Sequence, residues 1–278
     1  MSTTVRRRKG LGWLGGALIA VVCLVMLLPV IWTVLSVTKP TSVAFVNPPV
    51  LTYEPTAQAF ADLWQTTYFY RYLVNTLVVA VLSTVVAVLI GVPAAYALAR
   101  FPGWISVLLL LLALVFRALP RFAVVLPMYE IARDLGIYDT RFVLAMALVA
   151  INQPFTIWLL RNFFAAIPRE LDEAALLDGC TRVQVLTRIM VPLLGPGILT
   201  AAIFVFFFAF QEYLTAVVLT NTQAGTVPVF VATQLGQTLP MLQQAGAAAV
   251  LLTIPVMVFA FVAQRYLVAG LGAGSVRG

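Results

Sequence analysis

The sequence predicts an all-α integral membrane protein with six transmembrane helices, and three observations carry that prediction. The 278 residues are 62% hydrophobic and only 10% charged, whereas a soluble domain carries about 25% charged residues. Mean hydropathy is +1.03, which is more apolar surface than one soluble core can enclose. The apolar residues also fall in long runs nearly free of charge, of the length a helix needs to cross hydrocarbon. Together these exclude a soluble enzyme, a nucleic-acid-binding domain and a disordered chain.

The spans follow from the charges and turn residues between the runs. Span one covers about 11–37 after Arg6, Arg7, Arg8 and Lys9. A basic start before an apolar run can be a signal peptide, but this run is too long for one and shows no small-residue cleavage site. Residues 38–71 are polar and rich in Pro, with room for a short surface helix at 56–64. Span two is 72–99, ended by Arg100 and the turn Phe101-Pro102-Gly103. Span three is 104–129, span four 142–160, span five 189–213 and span six 245–263. Between the last two, residues 221–244 are uncharged, polar and rich in turn formers. No further soluble domain and no internal repeat is visible.

Lys and Arg set the orientation. With the N-terminus inside, the cytoplasmic segments hold Arg6, Arg7, Arg8, Lys9, Arg100, Arg161, Arg169, Arg182, Arg188, Arg265 and Arg277. The outer segments hold Lys39, Arg71, Arg133 and Arg141. The positive-inside rule therefore places both termini in the cytoplasm. The net charge of +7 is scattered rather than gathered into a basic patch, so it does not indicate nucleic acid. There is no His, and Cys23 and Cys180 stand far apart. This removes His-based zinc sites, His-ligated haem and Ser-His-Asp or Cys-His catalysis, and makes a disulfide framework implausible. The only lysines, Lys9 and Lys39, do not follow glycine, so no phosphate-binding G-x-x-x-x-G-K-[ST] loop is encoded.

The most informative segment is the loop at 161–190. Pro168 suits a first helical position. Glu170, Asp172 and Glu173 suit the first turns, where the helix dipole favours acids. Gly179 suits a left-handed stop. Thr181 with Gln184 is a capping box for a second helix reaching about Met190. The result is a helix–glycine turn–helix knob, and Ala174 and Ala175 would let another surface approach closely. By these features alone it could be either a structured connector or a docking element.

The spacing Glu173-Ala174-Ala175, three residues, Gly179, nine residues, Ile189, two residues, Pro192 resembles the E-A-A loop of ABC-importer permeases. Val191 stands where that family usually has Leu, a conservative departure. Ile167-Pro168 ahead of Leu171 is typical of the carbohydrate-uptake, or MalG-like, branch. Phe210-Gln211-Glu212-Tyr213 looks like that branch's W-N-E-F element, with Phe for Trp and Gln for Asn. The end of the chain from Gln264 resembles the branch's C-terminal tail, with Gly272 in place of the usual Thr and Arg277 in place of Lys.

This resemblance covers nearly the whole chain from span one onward. It implies a pathway-forming subunit of an ATP-driven carbohydrate importer in a bacterial inner membrane, and not an enzyme. It implies a MalF-like second permease, two ATPase subunits, and an extracytoplasmic solute-binding protein. ATP and Mg would be bound by the ATPases, and no cofactor by this chain. It assigns Glu173, Ala174, Ala175, Asp178, Gly179, Ile189 and Pro192 to ATPase coupling, and Gln264, Gly274 and Arg277 to a tail contact with the ATPases. It assigns Gly225, Thr226 and Gln234 to an outer loop reaching the binding protein. Glycines at 270, 272, 274 and 278 make that tail too flexible for a stable helix.

Polar residues within spans are costly and mark candidate function. Arg117 lies about 20 Å along span three, where either a structural hydrogen bond or a place on the translocation path is open. Arg121, a turn further, can snorkel outward. Glu212, beside Tyr213 at the outer mouth, can pair with either arginine or face the path. Asn152 and Gln153 can line a sugar path or bond a neighbouring helix. The rival readings are a membrane-embedded enzyme, which needs an acid cluster or nucleophile–base pair in a cavity, and a self-sufficient carrier or channel, which inverted repeats would favour.

Overall fold

In hydrocarbon a backbone must satisfy its own hydrogen bonds, and helices do so within one segment. The computed structural model describes residues 9–235 and 238–273, and among the described residues there is no strand. The elements in order are α1 (Lys9–Thr38), α2 (Thr41–Ala44), α3 (Gln58–Thr66), α4 (Phe69–Arg100), α5 (Trp104–Ala118), α6 (Arg121–Asp134), α7 (Arg141–Ala165) and α8 (Glu170–Leu177). There follow α9 (Arg182–Gln184), a π-helical segment (Val185–Met190), α10 (Val191–Leu193), α11 (Gly195–Phe210), α12 (Leu214–Leu219), α13 (Val227–Gln234) and α14 (Leu239–Ala273).

Four stretches, Gly15–Thr38, Phe69–Arg100, Arg141–Ala165 and Leu239–Phe261, are long and apolar enough to cross a membrane. Two bent helix pairs raise the number to six if each pair is one span. These bends correct the expectation of continuous third and fifth spans. Between α5 and α6 the axis turns by 91°. Leu119 takes an extended backbone, φ −63° and ψ 142°, as the residue before a proline is driven to do, and Pro120 has no N–H to continue the ladder. The helix α9–α10 meets α11 at 79°, at Leu194 ahead of Gly195-Pro196. Because α11 ends at Phe210, Glu212 and Tyr213 lie beyond the helix rather than on it.

Two compact units are present. One gathers α1, α2, α3 and the first turns of α14. Gln243 fastens it: Thr41 Oγ1 donates to Gln243 Oε1 at 2.7 Å, and Gln243 Nε2 donates to the carbonyls of Ser36 (3.2 Å) and Lys39 (2.9 Å). These bonds serve carbonyls at and just past the α1 C-terminus, where intrahelical donors run out. Gly246 lies so close to α1 that a Cβ there would sit 2.6 Å from Val37 Cγ1.

The other unit runs from α4 to α13 and includes the rest of α14. Its centre is α4 packed on α7 and α11. Small residues of α4 form the seam, with Ala80, Ala87, Ala95 and Ala99 all buried, as close helix approach in membranes requires. Phe164, Leu160, Val185 and Met190 close the core at the α4 C-terminal end, and Leu144, Leu148, Phe206 and Phe210 fill it further along. No residue of α5 is buried.

Candidate functional site

The segment after α7 folds into the expected knob. Helix α8 starts at Glu170, two residues after Pro168, and carries Glu170, Asp172 and Glu173 in its first turn. It ends in a Schellman motif: the Cys180 N–H donates to the Ala175 carbonyl at 3.0 Å and the Gly179 N–H to Leu176 at 3.1 Å. Gly179 sits at φ +87°, a conformation glycine adopts without strain. Thr181 and Gln184 form a reciprocal capping box, with bonds of 2.8 and 3.3 Å. Beyond it the helix departs from expectation. It becomes π-helical over Val185–Met190 and stays helical to Leu193, and π segments recur at functional sites.

The knob has an outward and an inward face. Glu173, Ala174, Asp178, Gly179 and Pro192 are exposed, while Ala175 is buried and Ile189 is half-buried against the same core. Two apolar side chains that sequence reasoning passed over stand out beside them: Leu177 is 89% and Val183 70% exposed. They flank the Gly179 turn in the chain, between the end of α8 and the start of α9.

The inward face is held to the end of α4. Arg100 Nε lies 2.7 Å from Asp172 Oδ2, with the two side chains only 6% and 9% exposed. Tyr96 Oη donates to Asp172 Oδ1 at 2.8 Å. Arg100 Nη1 donates to the carbonyls of Phe164 and Ile167, both at 3.1 Å. Asp172 was visible in the sequence only as one member of the acid cluster. Its partners Tyr96 and Arg100 lie four residues apart on one helix face, a spacing that could have flagged them. A cavity of about 200 Å³ beside this cluster is also lined by Arg169, Glu173 and Arg182.

The polar residues of the spans separate into different environments. Glu212 pairs with Arg121, its Oε2 being 2.5 Å from Nη1, while its Oε1 accepts from the N–H and hydroxyl of Thr215 and so caps α12. Arg117 instead lies over the rings of Phe155 (5.1 Å) and Phe208 (5.9 Å). Both arginines line a cavity of about 140 Å³. Gln153 donates across to the Ala87 carbonyl of α4 at 3.3 Å, Asn152 is buried, and Tyr213 is exposed.

The first part of the uncharged segment expected to be an outer loop, residues 221–233, is instead built into the unit that holds α4. Val227, Val229 and Phe230 draw α13 onto α4, where Phe230 packs on Phe69 and Tyr72. Gly225 and Thr226 are buried, which corrects their placement at a contact surface. Gly225 cannot carry a side chain there, since a Cβ would meet Asn221 O and Tyr72 at 2.8 Å. Gln234, at the end of α13, is half-buried; Asn221, Thr222 and Gln223 are the exposed part.

Asp139, at φ +56°, organises that turn. Its carboxylate accepts from four consecutive backbone N–H groups, Asn221 (2.7 Å), Thr222 (3.1 Å), Gln223 (3.0 Å) and Ala224 (3.0 Å). Burial alone would raise its pKa, but the four donors outweigh that and hold it below the ordinary value. From α4, Asn75 Nδ2 donates to the carbonyls of Gln223 (2.9 Å) and Gly225 (2.8 Å), and Arg141 Nε donates to Asn75 Oδ1 at 2.6 Å. Gln264 lies on α14 and is exposed; Gly274 and Arg277 fall outside the described residues. The expectation of a non-helical tail is corrected as far as Ala273, where α14 ends. Extending an existing helix needs no new nucleus, and each glycine costs only about 1 kcal/mol.

Residues 87–272, which include the knob and the Asp139 turn, match the family described as binding-protein-dependent transport system inner membrane component. The chain belongs to this family. It is an integral membrane permease subunit and not an enzyme. The permease is 40% identical to a probable ABC transporter permease protein, y4oR, of Sinorhizobium fredii, over 92% of each chain. It is 37% identical to the trehalose transport system permease SugB of Mycobacterium tuberculosis, over 91% of this chain and 93% of that one. It is 33% identical to the trehalose/maltose permease MalG of Thermococcus litoralis, over 95% of each. Its fold is similar to a chain of a bacterial ABC transporter that imports alginate, with TM-score 0.77, 23% identity, and coverage of 96% of this chain and 99% of that one.

Proposed function

We propose that this permease forms one half of the translocation pathway of an ATP-driven carbohydrate importer in a bacterial inner membrane. In this reading each bent pair is one span, so six spans cross the bilayer with both termini in the cytoplasm, as the Lys and Arg distribution favours. A MalF-like second permease completes the pathway, two ATPase subunits bind ATP and Mg, and an extracytoplasmic binding protein delivers the sugar. Relatives belong to transport systems for trehalose, trehalose/maltose and sulfoquinovosyl glycerol, which supports a carbohydrate cargo.

One observation carries the motor-docking part: Leu177 and Val183 stand exposed beside Glu173 and Ala174 on a knob fixed by the Gly179 turn and the Thr181 cap. Asp178, Ile189 and Pro192 complete that element, and Ala175 seats it in the core. The tail residues Gln264, Gly274 and Arg277 are assigned a second ATPase contact. Arg117, Asn152, Gln153, Glu212 and Tyr213 are assigned to or near the sugar path. The binding protein is met by residues 221–223 and Gln234, with Gly225 and Thr226 supporting them from beneath. In the assembled importer, Glu173→Ala and Leu177→Asp are expected to lower ATPase retention and uptake at least about tenfold, with the amount of permease in the membrane unchanged. Full ATPase retention by both variants would sink the docking assignment. A panel of neutral and acidic disaccharides in an uptake assay then assigns the cargo.

A further inference from the structure

We infer that Asp172, Arg100 and Tyr96 form a clamp that carries movement of the knob into α4, and through α4 to the loop at the opposite end of that helix. The inference rests on the knob being the motor dock. The three are positioning residues, since they touch neither sugar nor nucleotide.

Among the described residues, Arg100–Asp172 is the ion pair that joins the knob to a membrane-spanning helix. Asp172 is engaged from α4 in two ways: Oδ1 accepts a hydrogen bond from Tyr96, and Oδ2 is ion-paired with Arg100 Nε at 2.7 Å without hydrogen-bond alignment. The same guanidinium reaches the carbonyls of Phe164 and Ile167, where α7 gives way to the knob, and lies 3.9 Å from Met190 Sδ in the π-helical segment. One side chain thus ties α4, the α7 exit, α8 and the π segment together. The surrounding contacts, Ala99, Phe164, Ala175, Val185 and Leu194, are apolar and non-directional. A buried ion pair adds little net stability over an apolar pair of the same size. What it adds here is direction, because a carboxylate hydrogen-bonded to Tyr96 and ion-paired with Arg100, one turn apart on α4, is tied to a fixed place on that helix.

The other end of α4 is also fastened. Asn75 holds the carbonyls of Gln223 and Gly225 and stands about 37 Å from Arg100 along the helix, at 1.5 Å per residue. Coupling between distant sites needs a physical element that both sites bias. Helix α4 is such an element, with the knob on one end and the Asp139 turn on the other.

The test uses the assembled importer, with its second permease, ATPases and binding protein, in lipid vesicles. Both native cysteines are replaced (Cys23→Ala, Cys180→Ala), and Val74→Cys, an exposed position one residue before Asn75, reports on the far end of α4. The probe is a membrane-impermeant maleimide, applied without nucleotide and after trapping with ATP and vanadate. With the clamp intact, the labelling rate is expected to differ about tenfold between the two states. Asp172→Asn and Arg100→Gln are expected to abolish most of that difference while the ATPases still co-purify. Asp172→Glu should retain it, and the exchange Asp172→Arg with Arg100→Asp should restore part of it. Tyr96→Phe, which leaves the ion pair in place, should give an intermediate response and serves where the charge variants fail to insert.

A reporter that responds normally in Asp172→Asn and Arg100→Gln would overturn the clamp. So would a reporter that never responds to ATP, or conservative variants no better than the disruptive ones. Failure of the docking assignment reads differently: Leu177→Asp, with the clamp intact, would leave ATPase binding unchanged.

Discussion

Two aspartates fix two loops near opposite ends of α4, and they do it by different means. Asp139 is met by four backbone N–H groups of consecutive residues. Its partners are independent of which side chains the loop carries, and no counter-charge is needed. Asp172 is met by one guanidinium and one phenol, both from α4. Its hold depends on two particular side chains on another element. The first arrangement shapes a loop around one residue, and the second joins two bodies at a point. A backbone cradle suits a fixed contact surface, and a side-chain joint suits a connection through which force passes.

The joint should break most severely. Arg100→Met leaves a buried carboxylate without its charge partner and is expected to lower unfolding stability in detergent by about 3–5 kcal/mol. The double variant Arg100→Met with Asp172→Leu should recover most of that loss, because removing both charges removes the desolvation penalty. A single variant costing less than about 1 kcal/mol, read by thermal unfolding, would contradict the reading of Asp172 as dependent on its partner.

The cradle should break more gently. Asp139→Ala strands donors that water can reach, since residues 221–223 are exposed, and places a Cβ-bearing residue without a local acceptor at φ +56°. A loss of about 1–3 kcal/mol is expected, read as faster amide exchange at 221–224 with little change at the knob. Asp139→Asn keeps one acceptor oxygen and tolerates the left-handed backbone, so it should lose less.

The same cradle predicts a pH response with a definite sign. The folded Asp139 carboxyl lies below the ordinary value of 3.8, so its contribution is fully present above that value. It is lost only as pH falls through the lower, folded value. Exchange at 221–224, corrected for intrinsic rates, should therefore hold steady from neutral pH down to the ordinary aspartate range and rise below it. The smallest effect belongs to Gln223→Ala. That exposed side chain is not part of the cradle, and the change should stay within about 0.5 kcal/mol.

How much of this was legible beforehand depends on whether a signal is local. The Gly179 stop and the Thr181 cap are each written in a few neighbouring residues, and the structure has both where the sequence reading does. The apolar runs are as local, but their helices pass the expected ends: α7 reaches Ala165 rather than 160, and α14 starts at Leu239 rather than 245. The bends at Pro120 and Gly195-Pro196 were written there too, but a hydropathy run hides them because apolar content does not change across a break. The burial of Gly225 and Thr226 was not legible. It comes from Val227, Val229 and Phe230 finding α4, a contact between residues about 150 positions apart. The partnership of Asp172 with Arg100, 72 positions away, is non-local in the same way. Leu177 and Val183 were overlooked because an apolar residue in a helical loop reads as core until its exposure is seen.

In the proposed function the knob, and not the Asp139 turn, faces the motor. Cysteines placed singly at Leu177 and at Thr222, both exposed, in the permease lacking Cys23 and Cys180, test it directly. With a short bifunctional maleimide on the assembled importer, a cross-link to the ATPase is expected from position 177 and none from position 222. A cross-link to the ATPase from 222, or its absence from 177 at matched labelling, would contradict both the docking assignment and the orientation in the membrane.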